Sequence, residues 1–333
     1  DNGIRSHSET DYAKSLGIQV IITDHHSPDA VLPDADAVIN PKCPDDPYPN
    51  KQLSGAGVVY KLICSLAVIF PEIEPSDYID LVAIGTVADV VPLSGENRYL
   101  VHKGLLAINN TTRLRQSLAS LIGAANLSGR KITSSDISFQ IAPRLNASGR
   151  LDVENSDTPL KLLLSSDPST RGSLAQVLEN HNYQRRVLSQ QLQEKIESQL
   201  DLNNVDKSPI FSFSESNHLG VAGIAAGYRA RKYQLPAVVG QVGPEYTTAS
   251  CRSIPEFNII KALYKSEDIF ERSGGHKMAA GFTIQNVKLE LLQDKLSSEA
   301  KDKLASFDLN PILDIDAVID FDQITPTLIK ELE

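Results

Sequence analysis

Ile18-Gln19-Val20-Ile21-Ile22-Thr23 runs straight into Asp24-His25-His26, and the reading of this stretch decides the fold. A short β-branched run without alternation is the pattern of a strand buried on both faces of a parallel sheet. Tyr12, Ala13 and Leu16 precede it at helical spacing, and Gly17 suits the end of that helix. Beyond it, Ala37-Val38-Ile39-Asn40 reads as a second short strand, closed by Pro41. Gly57–Phe70 then reads as a buried helix and Asp77–Ala88 as another apolar helix. This alternation predicts an α/β fold with a mainly parallel, doubly wound sheet.

Farther out, Leu174, Val177, Leu178, Val187, Leu188, Leu192, Ile196 and Leu200 recur mostly at steps of three and four after Asp167-Pro168. The spacing predicts one amphipathic helix of roughly 30 residues, about 45 Å long, joining two domains. A second α/β unit follows. Its expected strands are 209–213, 235–239, 247–253 and 279–284, and its expected helices are 220–232 and 289–307. Leu313 to Asp320 alternates as a strand should. The expected division is 1–166, a connecting helix 167–204, a smaller domain 205–307, and the start of a third, OB-like domain at 308–333.

The 333 residues are 41% hydrophobic, enough for two cores and unlike a disordered chain. No run of about 18 apolar residues predicts a membrane span. Cys43, Cys64 and Cys251 lie far apart, which points to reduced thiols in a cytoplasmic protein. The net charge of −10 disfavours a polyanion partner at first sight. Yet residues 97–151 hold Arg98, Lys103, Arg113, Arg115, Arg130, Lys131, Arg144 and Arg150 against Asp136 alone. Both ends read as cut. Asp1 opens on an Asn2-Gly3 turn, and Thr325-Pro326 starts a helix that stops at once. The expectation is the interior of a longer protein.

Asp24-His25-His26 puts a carboxylate and two imidazoles at the carboxyl end of a strand, where open α/β sheets bind ligands. The run is either a polar loop or a site in which one His meets a metal and the other a substrate. Asp89, alone in Gly85-Thr86-Val87-Ala88-Asp89-Val90-Val91-Pro92-Leu93, is either a ligand or a solvated helix end. Asp1, His25 and Asp89 together offer oxygen and imidazole without thiolate, a set suited to Mn²⁺ or Mg²⁺. Two such ions suit phosphodiester hydrolysis, activating water and clamping the phosphate. Pro143-Arg144-Leu145-Asn146-Ala147-Ser148-Gly149-Arg150 reads as two Arg around a small-residue turn, a phosphate contact or a solvated loop. Gly274-Gly275-His276-Lys277-Met278-Ala279-Ala280-Gly281 reads as a glycine-rich turn, a phosphate cradle or a tight bend. Ser250-Cys251-Arg252-Ser253 lies on the preceding strand and offers hydroxyls and a guanidinium.

These pieces in this order resemble the DHH phosphoesterase superfamily, in its branch of single-strand-specific exonucleases. The resemblance rests on Asp1-Asn2-Gly3-Ile4, the TDHH run 23–26, Ile39-Asn40-Pro41 and Leu53-Ser54-Gly55-Ala56-Gly57-Val58. GTVADVVPL at 85–93, PRLNASGRL at 143–151 and GGHKMAAG at 274–281 complete it, so that it covers nearly the whole chain.

The resemblance implies a catalytic domain with two divalent ions, Mn²⁺ or Mg²⁺, an associated substrate-binding domain, and a cleft between them. It implies that Asp1 bridges the ions and that His25 and Asp89 are ligands of one. Asp24 and His26 would complete the catalytic signature, with His26 near the reacting phosphate. His276 with Gly274 and Gly275 would face the scissile phosphate, and Ser250 and Arg252 would hold a terminal 5′ phosphate. Arg144, Asn146 and Arg150 would line the DNA path. The implied activity is stepwise 5′-to-3′ hydrolysis of single-stranded DNA in repair and recombination. A helicase and a single-strand-binding protein are further candidate partners. The sequence departs from the pattern twice. The aspartate-rich first motif would precede Asp1, so residues 1–333 alone are expected to be weakly active or inactive. Asn217 stands where an aromatic residue is usual, and His218 beside it is expected to be structural. The competing readings are a phosphoesterase for short oligonucleotides or cyclic dinucleotides, a metal-dependent pyrophosphatase, and an inactive replication scaffold.

Overall fold

The computed structural model describes residues 2–151, 156–200, 207–310, 313 and 315–332. The chain divides into two units, residues 1–187 and 188–333, with the boundary inside one long helix.

In the first unit, α1 (His7–Ser15) leads to β1 (Ile21–Thr23), which pairs in parallel with β2 (Ala37–Ile39). The strand is shorter than Ile18–Thr23, and only Ile22 of it is buried, because β2 is its one neighbour among the described residues. Helices α2 (Gly55–Ile69), α3 (Ile79–Ala88) and α4 (Gly95–Ile108) follow. Ser54 starts α2 by accepting the Gly57 N–H at 3.1 Å. The expected buried helix is buried only over its first turn. Val68, Ile69 and Phe70 at its far end are exposed, since a run apolar all round does not itself say which residues are covered. Two glycines let these helices touch. A Cβ on Gly85 would lie 2.5 Å from the Ala56 Cβ, and one on Gly104 would strike Ala83 and the Ile79 carbonyl.

Next come α5 (Gln116–Ala124), the single turn α6 (Ser134–Asp136) and a five-residue π-turn at Ile137–Ile141, which continues into α7 (Ala142–Leu151). Residues 143–151 are therefore helical, not a turn. α8 (Thr158–Leu164) precedes the long α9 (Pro168–Gln199), opened by Asp167, whose Oδ2 accepts the Thr170 N–H at 2.6 Å. The core of this unit gathers Leu118, Leu121, Ile137, Ile141, Leu162 and Leu178. Truncating a wholly buried leucine such as Leu178 to alanine costs about 2–5 kcal/mol.

The second unit is a five-stranded sheet of order β3-β4-β5-β7-β6. Its elements are β3 (Ile210–Ser214), α10 (Leu219–Tyr233), β4 (Ala237–Val242), β5 (Tyr246–Arg252), α11 (Ile259–Tyr264), β6 (Phe270–His276), β7 (Ala279–Gln285) and α12 (Leu289–Leu304). β3 and β4 are parallel and the other pairs antiparallel. Gly274 and Gly275 sit on β6 and pair with Gly281 and Ala280, so the expected glycine turn is a hairpin whose bend falls at Lys277-Met278. The expected strand 313–320 does not form among the described residues there. Leu313, Ile315 and Val318 are exposed, and the short α13 (Pro326–Leu332) follows.

Candidate metal centre and nucleic-acid face

Asp24 is 1% exposed, and its carboxylate is used up locally. Oδ2 accepts the Ile4 N–H at 3.1 Å. Oδ1 accepts the amides of His25 at 2.7 Å and His26 at 3.0 Å, and it meets the His26 ring Nδ1 at 2.7 Å. Burial alone would raise this carboxyl. The amides of His26 and Ile4, the His26 ring and the His25 amide outweigh burial and hold it at about 2. An ionised Asp24 can only accept, so Nδ1 of His26 carries the hydrogen and its Nε2 is left to take or give a proton. The His26 side chain is more than half exposed, as that role needs.

His25 is turned the other way and is 5% exposed. Its Nδ1 donates to the Leu53 carbonyl at 3.1 Å, which places the lone pair on Nε2. Nε2 lies 3.3 Å from Asp89 Oδ2. Burial pushes the His25 pKa down, Asp89 pulls it up, and His26 and Lys42 push it down again, so the net shift favours the neutral imidazole that binds metal. Neighbouring ligands on an octahedral ion with bonds of ~2.1 Å stand about 3 Å apart. The His25–Asp89 pair fits a divalent ion by donor type and by spacing. Asp1, expected as a third ligand, lies outside the described residues. Among the described residues no group of three or more His, Cys, Asp or Glu side chains converges on one point.

The pair is built by helix packing. Leu53 immediately precedes the α2 cap Ser54, and Ser54 Oγ meets Thr86 Oγ1 of α3 at 3.0 Å. The close Gly85–Ala56 approach holds the same two helices, and α3 ends at Asp89. Val90 then takes a left-handed backbone, φ 59°, a strained choice for a β-branched residue. Sequence reasoning gave no role to Asn40. It is 1% exposed and donates from Nδ2 to the His26 carbonyl at 2.8 Å, fixing the far end of the Asp-His-His loop. The signal was an asparagine closing β2 before a proline.

Arg144 is buried on α7, ion-paired with Glu179 of α9, and donates to the Gln140 carbonyl at 2.7 Å. Asn146 and Arg150 are exposed one helical turn apart on α7. Ser148 between them meets His181 Nδ1 at 2.9 Å.

In the second unit, strand alternation sorts Ser250-Cys251-Arg252. Cys251 is wholly buried, and burial pushes its thiol up to about 12, which makes it inert. Ser250 and Arg252 point to the other face. Ser250 stands opposite Gly281, which stands opposite Gly274. Arg252 stands opposite Ala279, which stands opposite His276. The register thus puts these four residues in two adjacent rows on one sheet face, floored by Gly281 and Ala279. Strands ~4.8 Å apart place the Ser250/Arg252 side about 10 Å from the Gly274/His276 side. Gly223 of α10 lies over the first side, where a Cβ would come within 2.9 Å of Arg252 Nη2. Gly275 has φ 144°, and a Cβ there would strike the Ala279 carbonyl. Gly274 differs, for a Cβ on it would meet nothing within 4 Å. Asn217 is wholly buried and satisfied. It donates to the carbonyls of Gly240 at 3.0 Å and Ser212 at 3.2 Å, and accepts from Lys195 Nζ at 3.0 Å. His218 caps α10 by accepting the Gly220 N–H at 3.1 Å.

The fold is that of a two-domain DHH-family protein: residues 1–86 match the DHH family, N-terminal domain, and residues 206–305 match the DHHA1 domain. The single-stranded-DNA-specific exonuclease RecJ of Bacillus subtilis (strain 168) is 36% identical over 337 residues, with 100% of this chain and 42% of that protein covered. A solved RecJ in complex with Mn²⁺ from Thermus thermophilus superposes with a TM-score of 0.80 at 32% identity, covering 91% of this chain and 44% of that one. RecJ from the same source with Mg²⁺ gives 0.72 at 30% identity, covering 86% and 42%. Another solved exonuclease RecJ, bound to manganese, gives 0.76 at 31% identity, covering 93% of this chain and 77% of that one. The chain belongs to the RecJ family. It spans about half the length of the curated relatives it matches.

Proposed function

We propose that the protein carrying these residues hydrolyses single-stranded DNA from a 5′ end, one phosphodiester at a time, with Mn²⁺ or Mg²⁺ at the DHH site. The observation that carries the reading is the His25 Nε2–Asp89 Oδ2 approach of 3.3 Å, with the His25 tautomer fixed by the Leu53 carbonyl. His25 and Asp89 would hold one ion, with Asp1 as a further ligand. The ions, when bound, activate water and neutralise charge developing on the phosphate. His26, oriented by Asp24, holds or moves a proton at Nε2. In the second unit, Ser250 and Arg252 hold the terminal 5′ phosphate. The bare backbone at Gly274 and the His276 ring meet the backbone of the strand. On α7, Asn146 and Arg150 present polar and basic groups to the same polymer, while Arg144 holds α7 to α9.

Support for a polymer comes from the RecJ relatives and from the exposed Arg98, Lys103, Arg113 and Lys131 of 97–151, while Arg115, Arg130 and Arg144 of the same stretch are taken up by Asp80, Asp136 and Glu179. Among the described residues no helix is long and apolar enough to cross a membrane. A cytoplasmic site of action in repair and recombination, with a helicase and a single-strand-binding protein as partners, fits this reading. The test is cleavage of 3′-labelled DNA by the whole protein with Mn²⁺. Shortening of 5′-phosphorylated single strands, with duplex left intact, is expected. Equal cleavage of duplex, or a preference for a dinucleotide over a long strand, would contradict it.

A further inference from the structure

The sheet face that carries Ser250, Arg252, Gly274 and His276 does not end at those residues. One row farther along, Arg272 of β6 stands opposite Thr283 of β7, which stands opposite Thr248 of β5. Alternation on β6 puts Arg272, Gly274 and His276 on one side, with no register break between them. The break lies just before, between Phe270 and Arg272. This bulge turns Phe270 inward against Phe282, at 5.2 Å between ring centroids, and leaves Arg272 as an outward residue.

The Arg272 side chain is exposed and makes no hydrogen bond or ion pair among the described residues. Its neighbouring acid, Glu271, accepts from Gln285 Nε2 at 3.0 Å. Thr248 and Thr283, whose hydroxyls lie 3.2 Å apart, extend the polar floor beside it. Gly274 lies between Arg272 and His276, and among the described residues nothing comes within 4 Å of where a Cβ would lie there. Its backbone has no left-handed φ to demand glycine either. A guanidinium, a bare stretch of backbone and an imidazole thus follow one another along about 13 Å of strand.

We propose that Arg272 binds a backbone phosphate of the nucleic-acid strand, one farther along than the phosphate at His276. The contact extends the binding face along β6 and rewards strands longer than a dinucleotide. This rests on the functional reading above and deepens it. It also gives the open Gly274 a reason, since a polymer lying along β6 has to pass over that position.

The test is binding of 5′-phosphorylated, 3′-fluorescein oligothymidylate (12-mer) to the whole protein carrying these residues, by anisotropy in EDTA over a series of salt concentrations. Arg272→Ala is expected to weaken binding ~3- to 10-fold and to lower the salt slope by about one. Arg272→Lys should recover much of the loss, and affinity for a 5′-phosphorylated dinucleotide should not change. Lys295→Ala, which removes the same charge from α12, should bind as the wild type does. Wild-type binding undiminished by Arg272→Ala, with the salt slope intact, overturns the Arg272 assignment alone. A wild-type chain that binds no single strand overturns the functional reading, and this assignment with it.

Discussion

His25 and Asp89 come from different elements, the end of β1 and the end of α3, yet their Nε2 and Oδ2 atoms lie 3.3 Å apart. The other side of the His25 ring is held by the Leu53 carbonyl at 3.1 Å. A ring fixed in this way offers one defined lone pair, with a carboxylate oxygen 3.3 Å from the nitrogen that carries it. Four consequences can be measured.

Asp24 stabilises the fold through its charge. Its carboxyl sits at about 2 in the folded chain against an ordinary 3.8. A depressed carboxyl contributes stability above its unfolded value and loses it as pH falls through the folded value. The window is therefore about pH 4 down to 2, and the amount is about 2 kcal/mol. Urea melts should show this slope in the wild type. Asp24→Asn should be less stable at pH 7 by about 1–3 kcal/mol and lose the slope. An unchanged melt at pH 7 would contradict the role given to the four contacts.

His26→Ala in the whole protein should abolish cleavage of single-stranded DNA and leave the melting temperature within a few degrees. The ring is mostly exposed, and Asp24 keeps its three backbone donors without it. Residual turnover near the wild-type rate would remove His26 from the chemistry.

The two adjacent glycines of β6 should separate stability from binding. Gly275→Ala places a Cβ against Ala279 and Ala280 at φ 144°, and should destabilise by several kcal/mol. Gly274→Ala meets nothing, so its melt should match the wild type while its affinity for single-stranded DNA falls. Equal melts for the two, or full affinity in Gly274→Ala, would speak against the assigned face.

Much of this was legible in the residues. The β-branched run before Asp24 placed the Asp-His-His loop at a strand end, and the apolar spacing gave the long helix almost to its observed limits, Pro168–Gln199. Two motifs hid their local structure. Asn146, Ser148 and Gly149 favour a turn by propensity, but the Arg144–Glu179 pair and the Ser148–His181 contact hold residues 142–151 as a helix on α9. Gly274 and Gly275 weaken a strand on their own, yet six residues of β7 pair with that stretch and carry it. Strand alternation at Leu313–Asp320 lacks a partner strand among the described residues, and alternation without a partner makes no sheet. The exposure of the α2 end has the same root, since burial depends on what covers a helix. Asn40 and the Leu53 carbonyl were hidden for another reason. They act through single hydrogen bonds, and spacing does not encode those.

The central claim is that His25 and Asp89 share a divalent ion, and Mn²⁺ binding to the whole protein tests it most directly. Titration by calorimetry or by the Mn²⁺ electron paramagnetic resonance signal should show Asp89→Asn weakening binding at least ~10-fold, with the fold retained. Mn²⁺ affinity equal to the wild type in Asp89→Asn would contradict the account.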